Sequence, residues 1–141
     1  MKIPGRILLD SNFFIALRRK QPEALRVLQA LKDQQLVTSA LVKIEYAVGE
    51  FVVDPRQEKS IEALFERFEI VPFDEKAANK AAREAVKLGL PKTRNPHKKA
   101  FDLMIAACAW ATNRVLVTEN AQDFAHMPWV KTLAFDWNQT E

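Results

Sequence analysis

Three carboxylates in this chain stand in apolar surroundings. Asp10 ends the run Ile7, Leu8, Leu9, and after Ser11 and Asn12 the apolar pattern resumes with Phe13, Phe14 and Ile15. Glu45 lies in SALVKIEYAVGE, where a helix would place it on one face with Leu41, Val42 and Val48. Asp102 opens AFDLMIAACAWA, a stretch with no further charge, and its helical face continues through Ile105, Ala106 and Ala109. Burying an unpaired charge is expensive. Each residue has a local explanation. Asp10, helped by Asn12, can cap the next helix. Asp102 can favour a first helical turn through the dipole. Glu45 can pair with a lysine or arginine at the edge of the core. Clustered, the three would repel one another and raise their own pKa values unless a cation joined them. An all-oxygen set suits Mg2+ or Mn2+ rather than Zn2+.

More polar groups follow in LVTENAQDF. Thr118 and Asn120 fall on one side of the chain, and Asp123 lies one helical turn past Asn120. Either Asn120 or Asp123 extends the acidic site, or the segment is another N-cap. His97 and His126 have no metal-ligand spacing and read as surface or loop residues. The single cysteine, Cys108, sits in MIAACAWA and reads as core, with no intrachain disulfide and no CxxC pair.

These residues need elements to hold them. Residues 6–9 read as a short buried strand and 12–20 as a helix. Pro22 opens another helix, with Leu25, Leu28 and Leu31 on one face. Val37 belongs to a strand before Ser39, the N-cap of a helix over 40–52. A helix over 57–67, a strand over 69–72 and a helix over 75–88 follow, the last capped by Asp74 and stopped by Gly89 and Pro91. Residues 90–98 read as a loop and 100–112 as a strongly apolar helix. A strand at 115–118, a short helix at 120–126 and a strand at 131–135 complete the chain. Strands alternating with helices predict an α/β fold around a mainly parallel sheet. In such sheets, sites lie outside the carboxyl ends of the strands. Asp10 and Thr118 follow strands, as that rule requires.

The 141 residues suit a single domain over 1–141, large enough to bury a core. Hydrophobic residues make up 48% and charged residues 28%, which is globular rather than disordered. Only three glycines argue against a Gly-rich phosphate loop. No apolar run is long enough to span a membrane and no signal-peptide pattern opens the chain, so a cytoplasmic protein is expected. The net charge of +3 is unevenly spread. Lys87, Lys92, Arg94, Lys98 and Lys99 fall between Glu84 and Asp102 with no acidic residue among them, and Arg18, Arg19 and Lys20 form a second cluster. Such patches either hold phosphates or are simply solvated surface.

Four segments in this order resemble the PIN-domain ribonucleases, and most closely the VapC-type toxins of toxin–antitoxin pairs. They are LLDSNFFIAL, TSALVKIEYAVGE, FDLMIAACAWATNRVLVTENAQDF and the terminal Asp136–Trp137. The resemblance implies a three-layer α/β/α fold with a five-stranded parallel sheet. It implies an acidic pocket for one or two Mg2+ or Mn2+ ions, an endoribonuclease cutting single-stranded or looped RNA, a homodimer, and inhibition by a cognate antitoxin. By position, Asp10, Glu45 and Asp102 match the three core acidic residues, with Asp10 and Asp102 as direct ligands. Glu45 would ligate directly, act through water or accept a proton. Some relatives have an Asp where Asn120 stands, others an Asn there and an acidic residue three places on. This chain fits the second pattern, with Asn120 or Asp123 completing the metal site. Ser11 and Asn12 match the Thr-Asn that follows the first Asp and are expected to orient it, with Thr118 in support. Lys92, Arg94, Lys98 and Lys99 are expected to hold the RNA backbone with salt-sensitive affinity. Two alternatives stand beside the toxin: an RNA-processing nuclease of the same fold, and a non-catalytic RNA- or protein-binding module. Retention of Asp10, Glu45 and Asp102 counts against the latter.

Overall fold

A computed structural model describes residues 6–33, 35–92 and 96–136. The elements run β1 (Ile7–Leu9), α1 (Ser11–Arg18), α2 (Pro22–Ala30), β2 (Val37–Ser39), α3 (Ala40–Val53), α4 (Glu58–Phe65), β3 (Glu69–Val71), α5 (Glu75–Lys87), α6 (Pro96–Ala111), β4 (Val115–Thr118) and β5 (Thr132–Ala134). Short 3-10 turns occupy Pro55–Gln57, Leu90–Lys92 and Ala121–Phe124. The five strands form one sheet in the order β3-β2-β1-β4-β5. Every pairing is parallel, with Leu9 opposite Thr38 on one side and Val117 on the other. Parallel strands need crossover helices, and these cover both faces of the sheet in three layers. That is why β1 is apolar at every position and wholly buried. The chain winds from β1 outward to β3, then returns across the sheet to β4. The order therefore reverses between β1 and β4, where an open α/β sheet leaves a crevice at its carboxyl edge.

One packed cluster fixes the helices beside that crevice. Phe14 stacks on Phe65 with ring centroids 4.5 Å apart and meets Phe68 at 4.8 Å. Phe13 and Tyr46 close the group at 5.3 and 6.3 Å from Phe14. These contacts join α1, α3 and α4, so Ser11 and Glu45 are placed by the same core. On the other face α6 lays Leu103, Ile105, Ala106, Ala107, Cys108 and Ala109 into the interior, all buried. The three alanines bring its backbone close to the sheet. The Lys80 ammonium of α5 lies 4.7 Å from the ring of Trp110 and 4.8 Å from that of Trp129, a cation–π clasp that pins α5 to α6.

Several sequence expectations need correction. In α2 the core face is Ala24, Val27 and Leu31, while Leu25 is exposed. Spacing by three drifts around a helix of 3.6 residues per turn, so the three leucines do not share a buried stripe. The segment 90–98 is not all loop, because a 3-10 turn opens it and α6 starts at Pro96. Proline suits a first helical turn, having no N–H to lose there. The expected helix over 120–126 is the 3-10 turn Ala121–Phe124. Val48 points outward, 56% exposed, so the apolar face proposed for Glu45 ends at Leu41 and Val42. Gly89 stops α5 with φ of 62°, a left-handed conformation that glycine adopts without strain. Among the described residues, no helix is long and apolar enough to cross a membrane. Arg94 and Trp137 lie outside the described residues.

Candidate active site at the sheet edge

Asp10 stands at the carboxyl end of the central strand and also caps α1. Both the local role and a site role are served by one carboxylate. Its Oδ1 accepts from the Ser11 backbone N–H at 2.8 Å, and its Oδ2 accepts from the Thr118 hydroxyl at 2.8 Å. Thr118 ends the neighbouring strand β4 and is fully buried. Its oxygen also accepts from Asn12 Nδ2 at 3.3 Å and from the Asn120 backbone N–H at 3.2 Å. Three segments thus meet at one hydroxyl, which fixes the rotamer of Asp10. Ser11 links the next carboxylate, because its hydroxyl donates to Glu45 Oε1. Among the described residues Glu45 meets this hydroxyl and no basic side chain, so the expected lysine or arginine partner is replaced by serine. Ser11, Asn12 and Thr118 therefore form the hydrogen-bonded frame around Asp10 and Glu45.

Asp102 is half-buried on α6. Since α6 begins at Pro96, Asp102 sits in its second turn, past the reach of the helix N-terminal dipole. Its location is instead explained by the other carboxylates. Burial pushes the Asp102 carboxyl up to about 7, and the charges of Asp10, Asp123 and Glu45 add to the rise while Lys98 opposes it. Burial likewise pushes Asp10 up to about 6, against the Ser11 and Thr118 hydrogen bonds that lower it, with Glu45 and Asp123 raising it further. The four acidic groups thus lie within one another's field at one end of the sheet. Asp123 is exposed in the turn after β4, with Lys98 Nζ 3.8 Å from its Oδ2. Asn120 is exposed at the start of that turn, and its side chain makes no capping bond.

Among the described residues, no three His, Cys, Asp or Glu side chains are drawn together tightly enough to hold an ion as they stand. The donor chemistry nevertheless fits a hard divalent cation. The ligands on offer are all oxygen, and the raised carboxyls of Asp10 and Asp102 mark an excess of negative charge that a cation would offset. The basic residues divide. Lys98 and Lys99 are exposed on the first turn of α6 beside Asp123, and Lys92 is exposed in the turn before it. Arg18 pairs with Glu50 at the far end of α1, roughly 12 Å along that helix from Asp10. Cys108 is buried and its thiol is pushed up to about 12, which leaves it inert. The pattern reading missed a cavity wall. Leu88, Leu90, His126 and Met127 line a hollow of about 110 Å3 shared with Lys99, Asp102 and Asp123. They come from separate segments and carry no common motif, so nothing in the sequence announces them.

The PIN domain family model matches residues 7–130, from the start of β1 to the approach to β5. The chain belongs to the PIN-domain family. Among its relatives, Ribonuclease VapC1 of Haemophilus influenzae is 32% identical over 124 residues, covering 83% of this chain and 88% of the relative. The tRNA(fMet)-specific endonuclease VapC of Salmonella typhimurium is 24% identical over 131 residues, covering 89% of this chain and 95% of that one. Among solved structures, VapBC-1 from nontypeable Haemophilus influenzae superposes with a TM-score of 0.72 at 27% identity, over 94% of this chain and 98% of that one. VapBC2 from Rickettsia felis, bound to a DNA fragment from its promoter, matches the fold with a TM-score of 0.73 at 24% identity, over 92% and 98%. The α/β/α architecture and the five-stranded parallel sheet of this PIN domain are thus those expected from the opening motifs.

Proposed function

We propose that this PIN domain is a Mg2+- or Mn2+-dependent endoribonuclease and the toxin of a type II toxin–antitoxin pair. The observation that carries the reading is the convergence of Asp10, Glu45, Asp102 and Asp123 at the β1/β4 crevice, with two of them under strong pressure to shed charge. The ribonuclease names of its relatives support RNA as the substrate class. The VapBC complexes support a cognate antitoxin as partner. So does the outer face of α3, where Ile44, Val48 and Val52 are exposed, a surface that suits a protein partner or a second copy in a homodimer.

Asp10 and Asp102 would hold the ion, with Asp123 adding charge at the open side and Asn120 beside it. A bound divalent ion supplies positive charge to the scissile phosphate and acidifies the attacking water. The residues do the rest. Thr118 and Ser11 hold Asp10 in one rotamer, so no side-chain reorganisation is needed when the substrate arrives. Glu45 keeps one oxygen on Ser11 and has the other available to accept a proton from water. Lys92, Lys98 and Lys99 draw the RNA backbone towards the acidic edge, which would otherwise repel it. Arg94 belongs to the same basic run in sequence.

The test is cleavage of a cellular RNA pool with Mn2+ or Mg2+, with chelator, and with Asp102→Asn. Discrete cuts that vanish with chelator and with the variant are expected. The neutral isostere removes repulsion as well as ligation, so the variant should remain folded. Unchanged cutting by a folded Asp102→Asn protein would sink the assignment.

A further inference from the structure

We infer that the cavity beside Asp102 receives one base of the RNA, next to the scissile phosphate, and so selects where the chain is cut; this rests on the ribonuclease reading above. The cavity encloses about 110 Å3 between the end of α5, the turn that follows it, α6 and the turn after β4. Asp102 forms part of its wall, so the cavity is continuous with the acidic site. A group seated in it is therefore covalently close to whatever phosphate reaches Asp102.

The chemistry of the wall chooses the occupant. Leu88, Leu90 and Met127 give it apolar sides, Met127 buried and the leucines half-buried. A phosphate would lose its water against these groups and face the carboxylates of Asp102 and Asp123. A neutral, flat ring with a polar edge suffers neither penalty. Nucleobases are recognised in this way when splayed from a single strand, by apolar or aromatic contact on the face and hydrogen bonds at the edge. Lys99 and His126, both exposed at the rim, supply the edge. The ammonium is a donor only, while a neutral imidazole donates at one nitrogen and accepts at the other. The volume is well below the roughly 300–1,000 Å3 of a drug-sized pocket, so the site takes one base and not two.

The experiment is cleavage of a random-sequence single-stranded RNA library in Mn2+, with both ends of every product sequenced. The wild type, His126→Ala and Leu88→Ala run side by side. His126 is exposed, so its removal leaves the core intact. The wild type is expected to prefer certain bases at one fixed position beside the cut. His126→Ala should weaken that preference about tenfold, the loss of one edge hydrogen bond. Leu88→Ala should enlarge the pocket and shift the same position towards purines. Preferences at other positions should not move. Cuts without any flanking preference, or an unaltered preference in a folded His126→Ala protein, would overturn the base pocket and leave the nuclease standing. No cuts from the wild type would overturn the nuclease reading, and the pocket with it.

Discussion

Neutralising Asp10 should make the ion-free protein more stable at alkaline pH and not at acid pH. The Asp10 carboxyl is 6% exposed and is raised from 3.8 to about 6, chiefly by burial. A raised acid binds its proton more tightly when folded, so its favourable contribution is complete below pH 3.8 and is lost as pH rises through about 6. At about 1.4 kcal/mol per pKa unit, the ionised group costs the folded protein about 3 kcal/mol at pH 8 and only about 0.5 kcal/mol at pH 4. An asparagine in its place would still cap α1, since asparagine is as good an N-cap as aspartate. It would keep one acceptor oxygen where Asp10 uses two, losing one hydrogen bond worth about 1 kcal/mol. The net expectation for Asp10→Asn is a gain of about 2 kcal/mol at pH 8 and a slight loss at pH 4. Relief of Asp102, whose carboxyl the Asp10 charge helps to raise, adds to the gain at pH 8. Urea unfolding of chelator-treated protein from pH 4 to 8, followed by circular dichroism, measures the difference. Parallel stability curves for the two proteins would refute the argument, because Asp10 would then titrate as an ordinary surface carboxylate. Adding Mn2+ at pH 8 should reverse the order. An ion at a hundred times its Kd adds about 2.7 kcal/mol to the wild type, and less to a variant lacking a ligand.

Three further outcomes are expected. Thr118→Val keeps the shape but removes the hydroxyl shared by Asp10, Asn12 and the Asn120 N–H; the apparent pKa for Mn2+ binding should rise and cleavage should fall at least tenfold, whereas an unchanged pH profile would count against the network. Phe14→Ala opens the aromatic cluster that sets α1 against α3 and α4, and should cost about 3–5 kcal/mol in chemical denaturation; a loss under about 1 kcal/mol would mean the cluster does not carry the packing. Lys98→Ala with Lys99→Ala should weaken RNA binding and flatten its dependence on salt by roughly two counterions on a log–log plot, and an unaltered slope would remove both lysines from the RNA path.

Much of this was present in the linear chain. Strand β1, the Ser39 and Asp74 caps, and the β4 strand follow from local pattern, since a capping side chain or an all-apolar strand answers to its neighbours in sequence. The acidic residues were legible for a related reason: a carboxylate in an apolar segment is conspicuous without any structure. What the chain could not state was distance. That Thr118 would hold Asp10 across 108 positions, and Ser11 reach Glu45 across 34, depends on parallel pairing of β1 with β4 and on the Phe14 cluster seating α3. The start of α6 at Pro96, and with it the removal of Asp102 from the first turn, is set by packing of α6 on the sheet and α5 rather than by composition. The base-sized hollow is the extreme case. Its walls come from α5, the turn after it, α6 and the turn after β4, and a cavity is a property of the space left between elements, which no single segment encodes.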